Sequence, residues 1–319
     1  LSIFLCPVSL LGYVITVIGM YLFGHGSGVS KTAQGLLSAR YFQHILGVRQ
    51  DDASYQLMKI MPGTPYYGLV LVFGPLLLAH RLTGFVPKTF CYPFEGEITL
   101  PVEPVARVWF FDNVVARYLA SIRQFVILGA GFDTRACRLS KGNLVRCFEV
   151  DAPKTQAIKR KLLEKAGIDA SGITFVSADF EIEDWLARLV EAGFDSGKPA
   201  LFLWEGVILY LDREAVESTL RKIAGTAEGS IVAFDYLTKE TLESQSVYMR
   251  YARAAAKAAG EPFKFGILST PPLRQRMAEF LGTCGLSLGD HHTLGKETDG
   301  KHAWGGFATA LVGSAVQTD

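Results

Sequence analysis

The stretch QFVILGAGFDTRACRL, residues 124–139, decides the fold that this sequence predicts. A short apolar run at 125–128 leads directly into Gly129-Ala130-Gly131, and a helical pattern follows. A strand, a glycine loop and a helix in this order are typical of the first βα unit of an open parallel sheet, where ligands bind at the carboxyl ends of the strands. The stretch therefore predicts a ligand-binding α/β domain.

The segments after it alternate between short apolar runs and amphipathic helical patterns, as in a sheet covered by helices on both faces. Because no helix separates the last two apolar runs, we expect these two strands to pair antiparallel. The predicted fold is α/β, with a doubly wound, mostly parallel, seven-stranded sheet and an antiparallel last strand. The predicted strands are 125–128, 145–150, 173–176, 200–204, 230–234, 286–288 and 306–312, and the predicted helices are 152–166, 181–192, 212–227, 238–258 and 271–283.

Acidic residues follow three of the predicted strands. Glu149 and Asp151 come 18 and 20 residues after Gly131. An acid at this distance past the glycines is placed to accept both hydroxyls of a ribose. Asp179 follows the third strand and Glu205 the fourth. Carboxylates at the same end of three strands indicate a site for a nucleoside-containing cofactor.

The glycine loop departs from the dinucleotide fingerprint. The third glycine of that pattern would stand at position 134, where this chain has Thr134. Asp133 occupies the loop, and we expect its charge to repel phosphates. S-adenosylmethionine carries adenosine without phosphate, and its sulfonium and ammonium groups attract carboxylates. The residues therefore favour this cofactor over a nicotinamide dinucleotide.

With these features the chain resembles the leucine carboxyl methyltransferase family of class I methyltransferases, which have a Rossmann-like fold. The matching motifs run in family order from residue 30 to about 235. They are SKTAQGLLSAR (30–40), ARVWFFD (106–112), FVILGAGFDTRACRL (125–139), FEVD (148–151), SADFEIEDW (177–185) and WEGVILYL (204–211). The resemblance implies S-adenosylmethionine as methyl donor, S-adenosylhomocysteine as product, and transfer to an oxygen.

The resemblance also implies roles for particular residues. Gly129, Ala130, Gly131 and Asp133 form the cofactor loop, Lys31 and Arg107 reach the cofactor's carboxylate, and Glu149 or Asp151 holds the ribose. Asp179 and Phe180 flank the adenine, Glu205 contacts the amino-acid moiety, and Tyr210 shapes the pocket near the methyl group. We expect Glu205 and Tyr210 to lie nearest the chemistry.

Two apolar segments precede this domain. Residues 1–24 contain no charge and are long enough to cross a bilayer, so they predict a transmembrane or membrane-anchoring helix. A helix buried on the domain is the alternative. The first charges after it, Lys31, Arg40 and Arg49, place the remaining chain in the cytoplasm by the positive-inside tendency.

The second apolar segment, residues 66–79, is short and contains Gly74 and Pro75. We interpret it as a re-entrant or interfacial hairpin or a lid, with an ordinary core helix as the alternative. The predicted organisation is a membrane helix at 1–24, a helical cap at 25–104 that includes this hairpin, and a cofactor-binding domain at 105–319.

Composition restricts the remaining possibilities. The 319 residues include 32 basic and 31 acidic side chains, and a net charge of +1 offers no field to attract nucleic acid. Five cysteines without C-x-x-C spacing predict neither a disulfide framework nor a zinc site. We expect no metal, because the neighbours His291 and His292 seldom face one ion.

The function predicted from the sequence is O-methylation of a carboxylate or hydroxyl on a hydrophobic, membrane-delivered small molecule. The alternatives are methylation of a protein C-terminus and a non-catalytic, membrane-tethered protein that binds the cofactor. A hydroxyl acceptor would need a general base. The candidate bases are His291, His292, His302, Tyr66, Tyr67 and Asp235.

Overall fold

The structure is a computed structural model that describes residues 2–23, 31–140, 145–258, 260–270, 272–298 and 301–313. The side chains of residues 2–6, 20–23, 31 and 32 lie outside this description.

A single seven-stranded sheet forms the centre of the described chain. Its strand order is β3-β2-β1-β4-β5-β7-β6. The first five strands run parallel, and β7 runs antiparallel to both β5 and β6. This arrangement confirms the predicted fold class. The strands are β1 (Gln124–Leu128), β2 (Arg146–Asp151), β3 (Ile173–Ser177), β4 (Ala200–Trp204), β5 (Ile231–Leu237), β6 (Ser287–Leu294) and β7 (Gly305–Leu311).

Twelve helices lie among the described residues, and helices cover both faces of the sheet. Asp212 caps the helix that follows it by accepting a hydrogen bond from the Ala215 backbone N–H, as its sequence context predicts. The helices are α1 (Ser2–Phe23), α2 (Lys31–Ile45), α3 (Asp52–Ile60), α4 (Tyr66–Thr83), α5 (Glu103–Tyr118), α6 (Arg135–Leu139), α7 (Pro153–Lys165), α8 (Trp185–Glu191), α9 (Arg213–Ala224), α10 (Lys239–Glu243), α11 (Val247–Ala258) and α12 (Leu273–Thr283).

The core divides into two apolar clusters, one on each face of the sheet. In β1, Val126 and Leu128 belong to the first cluster, whereas Phe125 and Ile127 belong to the second. Because both faces are covered, all five residues of β1 are buried. This explains why residues 125–128 of β1 and all of β4 are uninterrupted apolar runs in the sequence.

The structure corrects two predicted elements. The pattern at 238–258 was expected to form one long helix, but it forms α10 and α11, and the break begins at Ser244, which adopts an extended conformation. The hairpin predicted at 66–79 is instead one continuous helix, α4. Pro75 lies inside α4, and the helix nevertheless continues from Tyr66 to Thr83.

The helices α1 and α4 pack against each other in antiparallel orientation through small residues. A Cβ atom added at Gly12 would lie 2.6 Å from Leu71 Cβ, and one at Gly68 would lie 3.0 Å from the backbone nitrogen of Thr16. The Ser9 hydroxyl donates to the Val72 carbonyl at 3.0 Å. The two backbones therefore approach closely, as in helix pairs that use small residues at their interface.

We predict that Gly68→Val separates α1 from α4, because the added atoms would meet the backbone of α1. The matched control is Gly74→Val in the same helix, where an added Cβ has no described atom within 4 Å. Amide hydrogen exchange followed by mass spectrometry should show faster exchange in α1 for Gly68→Val only. Equal protection of α1 in the two variants would contradict this packing.

Candidate active site

A cavity of about 550 Å³ opens at the carboxyl ends of the parallel strands. Its floor is formed by the loops after β1 and β4, and one wall comes from α2 and α5. Ligands of open α/β sheets bind at this edge. The residues that line the cavity include Ala33, Leu36, Arg40, Glu103, Arg107, Gly129, Ala130, Gly131, Asp133, Asp151, Asp179, Phe180, Glu205, Val207 and Tyr210.

The loop after β1 gives a ligand close access to the backbone. Gly129 and Gly131 have positive φ angles of 65° and 45°, which favour glycine. A Cβ atom at Gly129 would overlap the side chain of Val207, and one at Gly131 would lie 3.0 Å from Ala33 Cβ. Only glycine fits both positions without displacing a neighbour, so the loop keeps the cavity open where it meets β1.

The two acids of β2 face different surroundings. Asp151 lines the cavity and accepts hydrogen bonds from the backbone N–H groups of Gly131, at 2.6 Å, and Ala152, at 2.7 Å. Glu149 is fully buried away from the cavity, and one of its oxygens lies 2.6 Å from Lys159 Nζ. From the sequence, either Glu149 or Asp151 could hold the ribose. In the structure, only Asp151 lies at the cavity. Their spacing of two residues keeps both side chains on one face of β2, but only the last residue of the strand reaches the opening.

Glu205 and Arg40 present buried polar atoms that lack partners. Glu205 Oε2 accepts from Arg40 Nη2 at 2.8 Å and from Arg135 Nη1 at 2.5 Å. Glu205 Oε1 and Arg40 Nε are both buried and have no hydrogen-bond partner among the described residues. Because unpaired buried polar groups are costly, a ligand that supplies a donor and an acceptor would stabilise this corner.

Asp133 belongs to the same buried ion network. Its carboxylate lies 2.9 Å from Arg40 and 2.5 Å from Arg135. Burial alone would raise the pKa of Asp133, but the guanidinium groups of Arg135 and Arg40 outweigh burial and hold it well below its usual range. Arg40 and Arg135 therefore balance part of the charge of Asp133, and both arginines also pair with Glu205.

Arg107 is held at the cavity wall by two acids. It forms ion pairs with Glu103 on the preceding turn of α5 and, at 3.3 Å, with Asp235 of β5. Asp235 also accepts from the Gly206 backbone N–H at 2.6 Å. Burial raises the pKa values of Glu103 and Asp235, and Arg107 opposes this rise. Glu103 lines the cavity, and sequence reasoning missed it because it precedes the ARVWFFD motif.

The other predicted cofactor and pocket residues lie where the sequence placed them, except one that is not described. Asp179 and Phe180 follow β3, and both line the cavity. Tyr210 lines it after β4 and packs against Phe263, with ring centroids 5.8 Å apart. Lys31 begins α2, but its side chain lies outside the described residues.

The histidines and tyrosines considered as general bases lie away from the cavity. His291 Nε2 pairs with the Tyr236 hydroxyl at 2.7 Å, and His292 packs edge-on against Phe110. His302 borders a surface groove beside Trp304. Tyr66 and Tyr67 lie on α4, where Tyr67 is 80% exposed. Asp235 forms an ion pair with Arg107 and accepts a hydrogen bond from the Gly206 backbone N–H, beneath the cavity wall. None of the six candidate bases therefore lines the cavity.

Among the described residues, no group of three or more His, Cys, Asp or Glu side chains is arranged to hold a metal.

The comparisons with known proteins agree with this geometry. The family model described as leucine carboxyl methyltransferase matches residues 96–224, which confirms the resemblance carried by the motifs. A protein of Mycolicibacterium paratuberculosis, named as a candidate S-adenosyl-L-methionine-dependent methyltransferase, is 35% identical over 192 residues, which cover 58% of this chain and 62% of that protein. A similarly named protein of Streptomyces coelicolor is 37% identical over 155 residues, 47% of this chain and 52% of that protein.

The chain thus matches between about half and three-fifths of the length of these relatives. Among solved structures, a protein of the duf574 family from Streptomyces avermitilis aligns with a TM-score of 0.49 at 18% identity, covering 86% of this chain and 96% of that one.

We predict that Glu149 makes stability depend on pH. Burial raises the pKa of Glu149 to about 7, and Lys159 opposes this rise only in part. Since a free glutamate titrates near about 4.3, the folded state binds more protons than the unfolded state between these values, and the unfolding free energy falls as pH rises through this window. Denaturant unfolding at several pH values should show that the unfolding free energy falls less with rising pH in Glu149→Gln than in the unsubstituted chain. The matched control is Glu164→Gln at an exposed position, which should show the same pH dependence as the unsubstituted chain. An unchanged pH dependence of the unfolding free energy in Glu149→Gln would refute this role.

Proposed function

We propose that this chain, which carries a leucine carboxyl methyltransferase family region at residues 96–224, is an S-adenosylmethionine-dependent O-methyltransferase. The acceptor is a carboxylate or hydroxyl of a hydrophobic small molecule delivered from a membrane. The observation that carries the cofactor assignment is a pair of unpartnered buried atoms, Glu205 Oε1 after β4 and Arg40 Nε on the α2 wall. An amino-acid group carries an ammonium donor and a carboxylate acceptor, which are the two partners that these atoms lack.

The residues around this pair fit the rest of the cofactor. Asp151, beside the glycine loop, would accept from ribose hydroxyls, and Asp179 would accept from the adenine amino group beside the ring of Phe180. Gly129 and Gly131 admit the ligand to the backbone. When bound, the cofactor supplies an activated methyl group on a positively charged sulfur. The donor set at this corner thus matches a zwitterion joined to a nucleoside without phosphate.

Catalysis then depends mainly on positioning. Displacement at a methyl group needs the acceptor oxygen close and in line, and a carboxylate acceptor needs no base. Tyr210 and Leu36 line the cavity beside Glu205 and would orient an apolar acceptor. For a hydroxyl acceptor, Glu103 would take the proton, because it lines the cavity and burial raises its pKa.

The apolar character of the acceptor is supported by the elements that adjoin the cavity. The helix α2 contributes Leu36 and Arg40 to the cavity, and its next residues, Tyr41 and Phe42, contact α4. The ring centroids of Phe42 and Phe73 are 4.0 Å apart. A continuous apolar layer therefore connects the cavity wall with the α1 and α4 pair.

We predict that the full chain in detergent binds S-adenosylhomocysteine and not NADH in calorimetric titration. Asp151→Asn should weaken this binding by roughly ten- to hundredfold, because it removes a charged acceptor from the cavity. Its matched control is Glu149→Gln, two residues earlier on the same strand, which should bind within about twofold of the unsubstituted chain. Glu205→Gln should abolish binding if folding is retained by circular dichroism. Equal binding by Asp151→Asn and Glu149→Gln would contradict the assigned site, and a folded chain with no binding would contradict the cofactor assignment itself.

The class of acceptor is tested by the fate of the methyl group. Radioactive S-adenosylmethionine added to the chain and a membrane extract should yield label that partitions into organic solvent. Base lability of that label separates a methyl ester from a methyl ether. Label retained in a protein band would instead support the protein carboxyl methyltransferase alternative.

A further inference from the structure

The helix α1 is apolar around its whole circumference and is covered on one side only. It has no charged residue, and Gly12 and Gly19 are the buried positions among its described side chains. Leu10, Leu11 and Tyr13 are 62%, 56% and 59% exposed, and they point in different directions around the helix. A helix of this kind is stable only when another apolar phase or partner covers it.

The helix α4 has two covered sides and an exposed C-terminal half. Tyr66, Leu69 and Phe73 pack on the domain core, and Gly68 and Leu71 contact α1. Leu78 and Leu82 continue the side of Leu71 toward the end of the helix, where they are 40% and 68% exposed. Because the first two turns of α4 pack against the domain, the rest of the helix, residues 74–83, is only about 15 Å long, about half the hydrocarbon thickness of a bilayer.

The charges near this pair are basic. Residues 53–94 contain no acidic residue, and Lys59, Arg81 and Lys88 are all exposed. Lys59 precedes the start of α4, whereas Arg81 and Lys88 lie at and after its end. Exposed basic residues at the ends of an apolar helix match an anionic lipid surface, in which long basic side chains reach the headgroups while the apolar face is buried.

We infer that α1 and the exposed C-terminal half of α4 form a docking surface for an anionic lipid bilayer, with both helices lying in the plane of one leaflet. The surface joins an uncharged helix, an apolar stripe at Leu78 and Leu82, and flanking basic residues. The inference concerns the membrane-delivery part of the proposed function, and it does not depend on methyl transfer.

The experiment is flotation of the full chain with phosphatidylcholine vesicles, with and without a quarter of phosphatidylglycerol, in the absence of cofactor. The chain should bind both vesicles and bind the anionic ones more tightly, and added salt should reduce this preference. Because no methyl donor is present, a failure of flotation and a failure of S-adenosylhomocysteine binding are independent results.

Two pairs of substitutions test the surface itself. Leu78→Glu with Leu82→Glu should lower vesicle partitioning at least about tenfold, because the double substitution places two charges on the surface that the bilayer would bury. The matched control is Val247→Glu with Tyr251→Glu on α11, which are 84% and 74% exposed at the same helical spacing and should leave partitioning unchanged. Arg81→Glu with Lys88→Glu should abolish the preference for anionic vesicles. Thermal unfolding checks that every variant is folded.

The in-plane orientation is tested by measuring how deep the middle of α1 lies in the bilayer. In a Leu11→Trp variant, lipids brominated near the headgroup should quench the new fluorescence more than lipids brominated near the chain ends, because Leu11 is in the middle of α1. Stronger quenching by the deep bromines would overturn the in-plane orientation in favour of a crossing helix. The proposal that this surface binds lipid would be overturned if the chain dimerised and did not float. Equal flotation of the α4 and α11 variants would overturn it as well.

Discussion

Two buried arginines, Arg40 and Arg135, hold together the segments from which the cavity is built. They connect α2, the loop after β1, α6 and the end of β4, through the carboxylates of Asp133 and Glu205. Arg135 also reaches Asp112 of α5 at 2.6 Å. Removing one member of such a network leaves an uncompensated buried charge, which costs far more than the pair contributes. The geometry of the site and the packing of the N-terminal helices on the sheet therefore depend on the same ion pairs.

Elements with a strong local signal could be predicted from the sequence. Residues 125–128 of β1 and all of β4 are unbroken apolar runs, and Asp212 marks the start of α9. The division of 238–258 into two helices could not be predicted, because helical periodicity continues across a break that tertiary packing decides. The same holds for α4, in which Pro75 suggested an interruption that the helix accommodates.

The site was predictable as a set of positions but not as a set of roles. Spacing placed acids at the correct edge, but only coordinates distinguish Asp151 at the cavity from Glu149 beside Lys159. In addition, the sequence does not show which residues lie beside a charged side chain in the folded chain. Asp133 illustrates this point, since the sequence does not show that Arg40 and Arg135 lie beside its carboxylate. Glu103 is the converse case, because nothing in its sequence context indicates that it faces the cavity.

The helix α2 has neighbours on two sides. Leu36 and Arg40 face the cavity, whereas Tyr41 and Phe42 touch α4. On the proposed assignments, α2 separates the cofactor from the helix pair that binds lipid. Linkage between two binding sites is reciprocal. Any displacement of α2 at a bilayer would therefore change cofactor affinity by the same factor by which the cofactor changes affinity for the bilayer.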